Sequence, residues 1–197
     1  MFERLVLASS NQGKLREFKA LLGNRVGDLV TQDALGIVGA DETGMSFVEN
    51  ALLKARYASQ QSGLAALADD SGLVVDALYG APGIYSARYA GPDAKDEDNN
   101  AKLLRELDGI PAPRPAYYVA VIVLVKYPQD PMPLIAQAQW HGEILLRARG
   151  QGGFGYDPLF YVPEAGMTAA EMSPEHKNLL SHRAKALAQL LVAWPSA

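Results

Sequence analysis

The chain has 197 residues, 49% hydrophobic and 20% charged, a globular balance that excludes a disordered chain and suits one domain of one or two lobes. Its 18 basic and 22 acidic side chains leave a net charge of −4, which weighs against coating nucleic acid or an anionic membrane through bulk charge. Cysteine is absent, which excludes disulfides, thiolate nucleophiles, iron–sulfur clusters and cysteine–zinc sites together and suits a reducing cytoplasm.

Residues 4–8 (RLVLA) are short, β-prone and followed by small polar residues, which predicts a buried strand feeding a loop. Charges at Glu3 and Arg4 leave this stretch too short for a signal-peptide core. Over 14–22, Leu15, Phe18, Leu21 and Leu22 share one face while Lys14, Arg16, Glu17 and Lys19 lie elsewhere, the spacing of a helix that Gly23 ends. A second helix starts at Ser46, where Ser46 and Glu49 make a capping box. Phe47, Ala51, Ala55 and Ala58 mark its inner face, and Gly63 closes it. Two strands are expected next, over 64–68 and 73–78, joined through Asp69, Asp70, Ser71 and Gly72.

A Gly/Pro-rich loop over 80–93 precedes a helix over 96–107 that Gly109 ends, and Pro111, Pro113 and Pro115 mark a connection. The strongest strand signal is 116–125, rich in Val, Ile and Tyr and well short of the about 20 residues that a membrane-spanning helix needs. Residues 135–149 hold two further strand candidates around His141 and Gly142. The stretch 181–193 reads as a helix with Ala184, Leu187, Leu190 and Leu191 inward. With no internal repeat and no low-complexity linker, the pattern predicts an α/β or α+β fold with a mixed sheet.

Four polar clusters interrupt this pattern where elements end. The first, Ser9, Ser10, Asn11, Gln12, Gly13 and Lys14, joins the first strand to the first helix. A helix start offers unpaired amides and a positive dipole end to a phosphate; Ser9, Asn11 and Lys14 add a hydroxyl, an amide and a point charge. The same residues suit an ordinary strand–turn–helix junction with a Ser or Asn cap, and they do not spell the phosphate loop G-x-x-x-x-G-K-[ST]. The second cluster is acidic: Asp41 and Glu42 ahead of the second helix, Asp69 and Asp70 at a strand end. Carboxylates meeting at one point can hold Mg²⁺, a hard ion that takes oxygen ligands, and Asp70 could then deprotonate water whose pKa the ion lowers. The competing reading is a D-S-G turn. Against it, a doubled Asp after an apolar strand is expensive unless something positive compensates it.

The third cluster, from Gly150 to Pro158, matches G-x-G-x-x-G in letters only, because a dinucleotide fingerprint needs a helix opening at the last glycine and 157–160 reads as extended chain. A glycine loop presenting Phe154 or Tyr156 as a flat face for a nucleobase fits better, and such stacking is worth about 1–3 kcal/mol per base. The alternative is a tight glycine turn with its aromatics packed in the core. The fourth cluster, Lys177, His182 and Arg183 around the start of the last helix, supplies donors able to read carbonyl oxygens on a base, or else forms a solvated helix face. His141, His176 and His182 lack H-E-x-x-H spacing, so no zinc site is expected.

SSNQGK at 9–14, DETG at 41–44, ADDSGL at 68–73, PGIYSARYAG at 82–91, GGFGYDP at 152–158 and SHR at 181–183 occur in this order along essentially the whole chain. In these collinear motifs the sequence closely resembles the Ham1/RdgB family of inosine triphosphate pyrophosphatases, which clear deaminated purine nucleotides from the nucleotide pool. The resemblance implies one ITPase-like domain over 1–197 with two lobes around a substrate cleft, a long twisted mixed sheet flanked by helices, and a cytoplasmic homodimer. It implies Mg²⁺-dependent hydrolysis of ITP, dITP and XTP to the monophosphate and pyrophosphate. Residue by residue, Ser9, Ser10, Asn11, Gln12, Gly13 and Lys14 match the segment that holds the triphosphate. Asp70 matches the catalytic base and a metal ligand, Glu42 the second acidic metal-site residue, and Ser71 a substrate contact. Phe154, Gly155, Tyr156, Asp157, Lys177, His182 and Arg183 match base-recognition residues. Lys54, following Glu49, Asn50 and Ala51, stands where the family often has a lysine, which implies a second-tier phosphate contact. His176 and Ala184 depart from the family's common Glu and Gly, outside the motifs. Two other readings stay open: a Maf-like pyrophosphatase of other nucleotides, against which F-G-Y-D and S-H-R argue, and a nonenzymatic nucleotide-binding protein, which would be expected to lack one of Glu42, Asp69 and Asp70.

Overall fold

The computed structural model describes residues 2–194, in which strands and helices alternate as the apolar pattern requires. In chain order these are β1 (Phe2–Leu7), α1 (Gln12–Leu22), β2 (Val26–Thr31), α2 (Phe47–Ser62), β3 (Ala66–Val75), α3 (Asp96–Glu106), β4 (Pro115–Val125), β5 (Leu134–Ile144), β6 (Phe160–Val162), β7 (Met167–Thr168), α4 (Pro174–Leu180) and α5 (His182–Val192), with short 3₁₀ turns between several of them. The strands form one mixed sheet in the order β2-β1-β3-β4-β5-β6-β7. β1 pairs in parallel with β2 and β3, whereas β5, β6 and β7 pair antiparallel. Among the described residues no helix is long and apolar enough to cross a membrane.

The chain divides into two compact units, the first comprising Met1–Asp70, Ala120–Ala138 and Arg183–Ala197, the second Ser71–Val119 and Gln139–His182. In the first unit, Leu5 and Leu7 of β1, Leu67 of β3 and Ile122 and Leu124 of β4 join Phe18 of α1 and Leu187 and Leu190 of α5 in one apolar cluster. Their strand neighbours Val6, Ala66, Ala68, Val121 and Val123 join Ala51, Ala55 and Ala58 of α2 in another. Successive strand side chains point to opposite faces, so this part of the sheet is covered on both, and its buried stretches 5–7, 66–68 and 120–125 are apolar on both. The second unit has its own cluster, in which Leu73, Val75, Leu103, Tyr118, Trp140, Tyr156 and Phe160 pack together.

Several sequence expectations are revised. The segments 64–68 and 73–78 form the single strand β3, and the D-D-S-G stretch stays inside it. The turn reading fails because the Asp69 charge is matched by buried cations, described below, and does not have to face water. The two candidates around His141 and Gly142 are likewise one strand, β5. Gly142 marks a close approach: a Cβ there would lie 2.4 Å from the Tyr161 carbonyl oxygen and 2.7 Å from Phe160 Cζ. Residues 157–159 are not extended but belong to a turn, with the Leu159 and Phe160 N–H groups both donating to the Tyr156 carbonyl, and extended chain begins only at Phe160, the start of β6. No helix opens at Gly155, so the dinucleotide reading remains excluded. At α2, Ser46 Oγ accepts the Glu49 N–H, but the Glu49 carboxylate takes the Met45 N–H, one residue ahead of a capping box. β2 and α4 carry no strong sequence signal: β2 contains Gly27 and Asp28, both poor strand formers, and α4 spans only seven residues.

Candidate active site

In the first unit, β1 ends at Leu7 and α1 begins at Gln12, leaving 8–11 as the turn. Asn11 caps the helix, its Oδ1 accepting the Lys14 N–H at 3.0 Å, and Ser9 Oγ accepts the Asn11 N–H at 3.1 Å. Ser10, Asn11 and Gln12 are exposed while Ser9, Gly13 and Lys14 are half-buried. The junction therefore combines the capped turn and the open helix start that the sequence left as alternatives, because one side chain satisfies only one of several first-turn amides. Lys14 does not extend into solvent. Its ammonium turns to Asp69, 2.7 Å from Oδ2 and 3.3 Å from the carbonyl oxygen.

Period-two geometry separates the two aspartates of β3. Asp69 shares a face with Leu67, the face that α1 and α5 cover; Asp70 shares the opposite face with Ala66 and Ala68, beneath α2. On its side Asp69 meets Lys14 of α1 and Arg183 of α5, whose Nε and Nη2 donate to Oδ2 at 3.3 and 3.2 Å. Arg183 also donates through Nη1 to Glu17, three residues after Lys14 on α1. On its own side Asp70 meets Lys54 of α2, whose ammonium donates to Asp70 Oδ1 at 2.6 Å, Glu42 Oε1 at 3.0 Å and the Asp69 carbonyl at 3.0 Å. The sequence doublet is thus two sites back to back on one strand.

Their electrostatics differ accordingly. Burial alone would raise the Asp69 pKa, but Arg183, Lys14 and Lys54 outweigh it and hold the carboxyl well below the usual range. Lys14 has only this shared carboxylate in its favour, with Lys54 and Arg183 repelling it, so burial wins and its pKa is lowered. Asp70 goes the other way. Desolvation exceeds the pull of Lys54, the Glu42 charge adds to it, and the carboxyl is shifted upward, the direction that suits a base near neutral pH. For Lys54 burial is offset by Asp70 and Glu42, which together raise its pKa.

Whether Glu42 and Asp70 fit a divalent ion can be judged from their surroundings. They converge on one ammonium, and Asp70 Oδ2 is buried without a hydrogen-bond partner among the described residues. Among the described residues no group of three or more Asp, Glu or His side chains could hold a metal unaided. A pair of hard oxygen donors fits Mg²⁺, which binds through one or two carboxylates and takes its remaining positions from phosphates and water. Asp41, also in the acidic cluster, is exposed and forms no part of this arrangement.

In the second unit Phe154, Asp157, Lys177 and His182 surround one loop. The Lys177 ammonium pairs with Asp157 Oδ2 at 2.6 Å and lies 4.7 Å from the Phe154 ring centroid. Asp157 Oδ2 also accepts the Phe154 N–H at 3.0 Å, and the Tyr118 hydroxyl donates to Oδ1 at 3.3 Å. His182 is buried, its ring stacked on Tyr118 at 4.8 Å and 10°. Of the two aromatics the glycine loop carries, Phe154 is half-buried, whereas Tyr156 belongs to the core and donates its hydroxyl to the Ser86 carbonyl. Of the two aromatics expected to offer a flat face, only Phe154 is therefore partly open to solvent. Ser71 is half-buried on β3 in this unit. Arg183, grouped with Lys177 and His182 by the sequence, lies instead in the first unit, fully buried against Asp69 and Glu17. Sequence reasoning had no role for Glu17 or Tyr118, and it placed Asp69 among the carboxylates able to hold Mg²⁺, whereas the structure pairs it with Lys14 and Arg183; only the Lys14–Glu17 spacing hinted that one helix face carries both.

Residues 5–193 match the model of the Ham1 family. A protein named dITP/XTP pyrophosphatase from Xanthomonas oryzae pv. oryzae is 57% identical over 189 residues, covering 95% of each chain. One of the same name from Nitrosomonas europaea is 56% identical over 188 residues, covering 95% of this chain and 92% of that one. Among solved structures, a HAM1 protein from Coxiella burnetii superimposes with a TM-score of 0.89 at 46% identity, covering 98% of both chains.

Proposed function

The chain belongs to the Ham1 family, and from that membership we propose that it is a nucleoside triphosphate pyrophosphatase hydrolysing ITP, dITP and XTP to the monophosphate and pyrophosphate. The observation that carries this reading is the meeting of Lys14, Lys54, Glu42 and Asp70 around β3, with the start of α1 beside Lys14. Lys14 and the first-turn amides of α1 hold the triphosphate, positive charge against negative. Mg²⁺, held by Asp70 and Glu42, supplies when bound the charge that neutralises the phosphates. Asp70, with its raised pKa, takes a proton from the attacking water. The water oxygen bonds to the α-phosphorus as the bond from that phosphorus to the bridging oxygen breaks, and pyrophosphate departs toward Lys14.

In the second unit Phe154 offers the face on which the purine stacks, and Lys177 and His182 are donors that accept a 6-oxo group and oppose the 6-amino group of adenine. Rejecting guanine requires a penalty at its 2-amino group, and a buried polar mismatch reaches factors of roughly 10⁴. We propose further that the protein acts in the cytoplasm as a homodimer: the resemblance to the family implies both, and a chain without cysteine suits a reducing compartment. Pyrophosphate release from a panel of nucleotides, with and without chelator, tests the assignment. ITP and XTP should exceed GTP and ATP in kcat/KM by at least about 10²-fold, and chelator should abolish turnover. Asp70→Ala should lose roughly 10²–10⁴ in kcat while folding normally. Comparable rates on all four nucleotides refute the substrate assignment, and near-normal Asp70→Ala activity refutes the base.

A further inference from the structure

We propose that Asp96 and Asn100, at the start of α3, are positioning residues for the loop that carries Phe154. The inference rests on the reading above that Phe154 faces the base. A spacing of four puts the two side chains on one face of the helix, and there they clasp both backbone groups of a single loop residue. The Gly155 N–H donates to Asp96 Oδ2 at 2.6 Å, and Asn100 Nδ2 donates to the Gly155 carbonyl at 2.8 Å. Asn100 Nδ2 also donates to the Asp96 carbonyl at 2.8 Å, which ties the pair to each other.

Gly155 sits at φ 62°, a conformation glycine enters as readily as several others, so the two external bonds select it. Phe154 immediately precedes this fixed point. On its other side, Gly153 leaves no room for a side chain, since a Cβ would fall 2.0 Å from Asp157 Oδ2, the atom that accepts the Phe154 N–H. The ring is therefore aimed by a backbone held at two places, by Asp157 inside the loop and by α3 outside it. A merely solvated helix face, the ordinary reading of D-E-D-N-N, predicts neither bond. The neighbouring Asn99 is used in the same way, accepting the Ala90 N–H at 2.8 Å and donating to the Ala87 carbonyl at 3.2 Å, so the same helix start also grips the PGIYSARYAG loop.

The test compares Asp96→Ala, Asn100→Asp and Asp96→Asn for binding of inosine monophosphate by calorimetry, KM and kcat with ITP, and competitive inhibition by tripolyphosphate, which has no base to stack. Losing one such hydrogen bond should weaken inosine monophosphate binding and raise KM about three- to tenfold. Tripolyphosphate inhibition and kcat should hold, and Asp96→Asn, which keeps an acceptor, should recover most of the loss. Unchanged inosine monophosphate binding in the first two variants overturns the proposal. So does a parallel loss of tripolyphosphate inhibition, which marks a general folding defect; if Asp96→Ala does not fold, Asn100→Asp carries the comparison. Phe154→Ala separates the two readings: wild-type affinity for inosine monophosphate in that variant removes the stacking assignment itself, whereas weakened affinity there beside unaffected α3 variants removes only the role of Asp96 and Asn100.

Discussion

Replacing Asp69 by Asn removes one charge and almost no volume from a side chain with no solvent exposure. Lys14 at 2.7 Å and Arg183 at 3.2 Å then lose the carboxylate that compensates them inside the first unit. Arg183 keeps Glu17, but Lys14 keeps no other carboxylate partner among its described contacts. Breaking a buried pair by removing one partner costs about 3–5 kcal/mol. In a chain of this length each kcal/mol moves Tm by about 2–4 °C, so Asp69→Asn should melt roughly 6–20 °C below wild type. The neighbouring Asp70→Asn is the control. Its carboxyl is shifted upward by burial, and Lys54, which loses this partner at 2.6 Å, keeps Glu42 at 3.0 Å, so Asp70→Asn should lower Tm by clearly less than Asp69→Asn.

A pH series sharpens the comparison. Because the folded-state pKa of Asp69 is depressed below its unfolded value of 3.8, its contribution is fully present above that pH and is lost as pH falls through the folded value. Wild type should therefore lose stability below about pH 4 more steeply than Asp69→Asn, which has no such proton to take up. Chemical denaturation of the three proteins measures all of this. If Asp69→Asn unfolds within about 1 kcal/mol of wild type, or if Asp70→Asn is equally destabilised, the division of labour between the two aspartates is wrong.

Lys54→Met removes the ammonium that bridges Glu42 and Asp70, so Mn²⁺ binding without nucleotide, followed by electron paramagnetic resonance, should tighten about tenfold or more. Unchanged affinity would mean that the lysine and the metal do not compete for these carboxylates. Gly142→Ala should destabilise by about 1–3 kcal/mol, since its methyl group meets the Tyr161 carbonyl oxygen at 2.4 Å and β6 has to shift; a wild-type denaturation midpoint would refute the close approach.

Where one side-chain type has one local partner, the sequence was readable. Asn11 as a cap, Ser46 at the start of α2 and the alanine face of α2 all follow from spacing within a few residues. The course of 66–75 and 134–144 was not readable, because Asp and Gly lower local strand propensity and the compensating contacts come from far along the chain. Asp69 stays in its strand because Lys14, 55 residues earlier, and Arg183, 114 residues later, both reach it. Gly142 has a reason to be glycine within its strand that lies on β6, where Phe160 and Tyr161 leave no room for a Cβ.

The sequence by itself determined which residue types the candidate chemistry uses: a capped helix start with a lysine, a pair of adjacent aspartates, a glycine loop with an aromatic, and no cysteine. Composition and spacing suffice for that, since they are local properties. Tertiary structure decided which of those residues act together. Strand alternation sends Asp69 to α1 and α5 and Asp70 to α2; packing buries Tyr156 and leaves Phe154 half-exposed; and α3 fixes a glycine on a distant loop. Each of these outcomes depends on which elements cover a given face, and that is set by the whole apolar core, not by any single segment of chain.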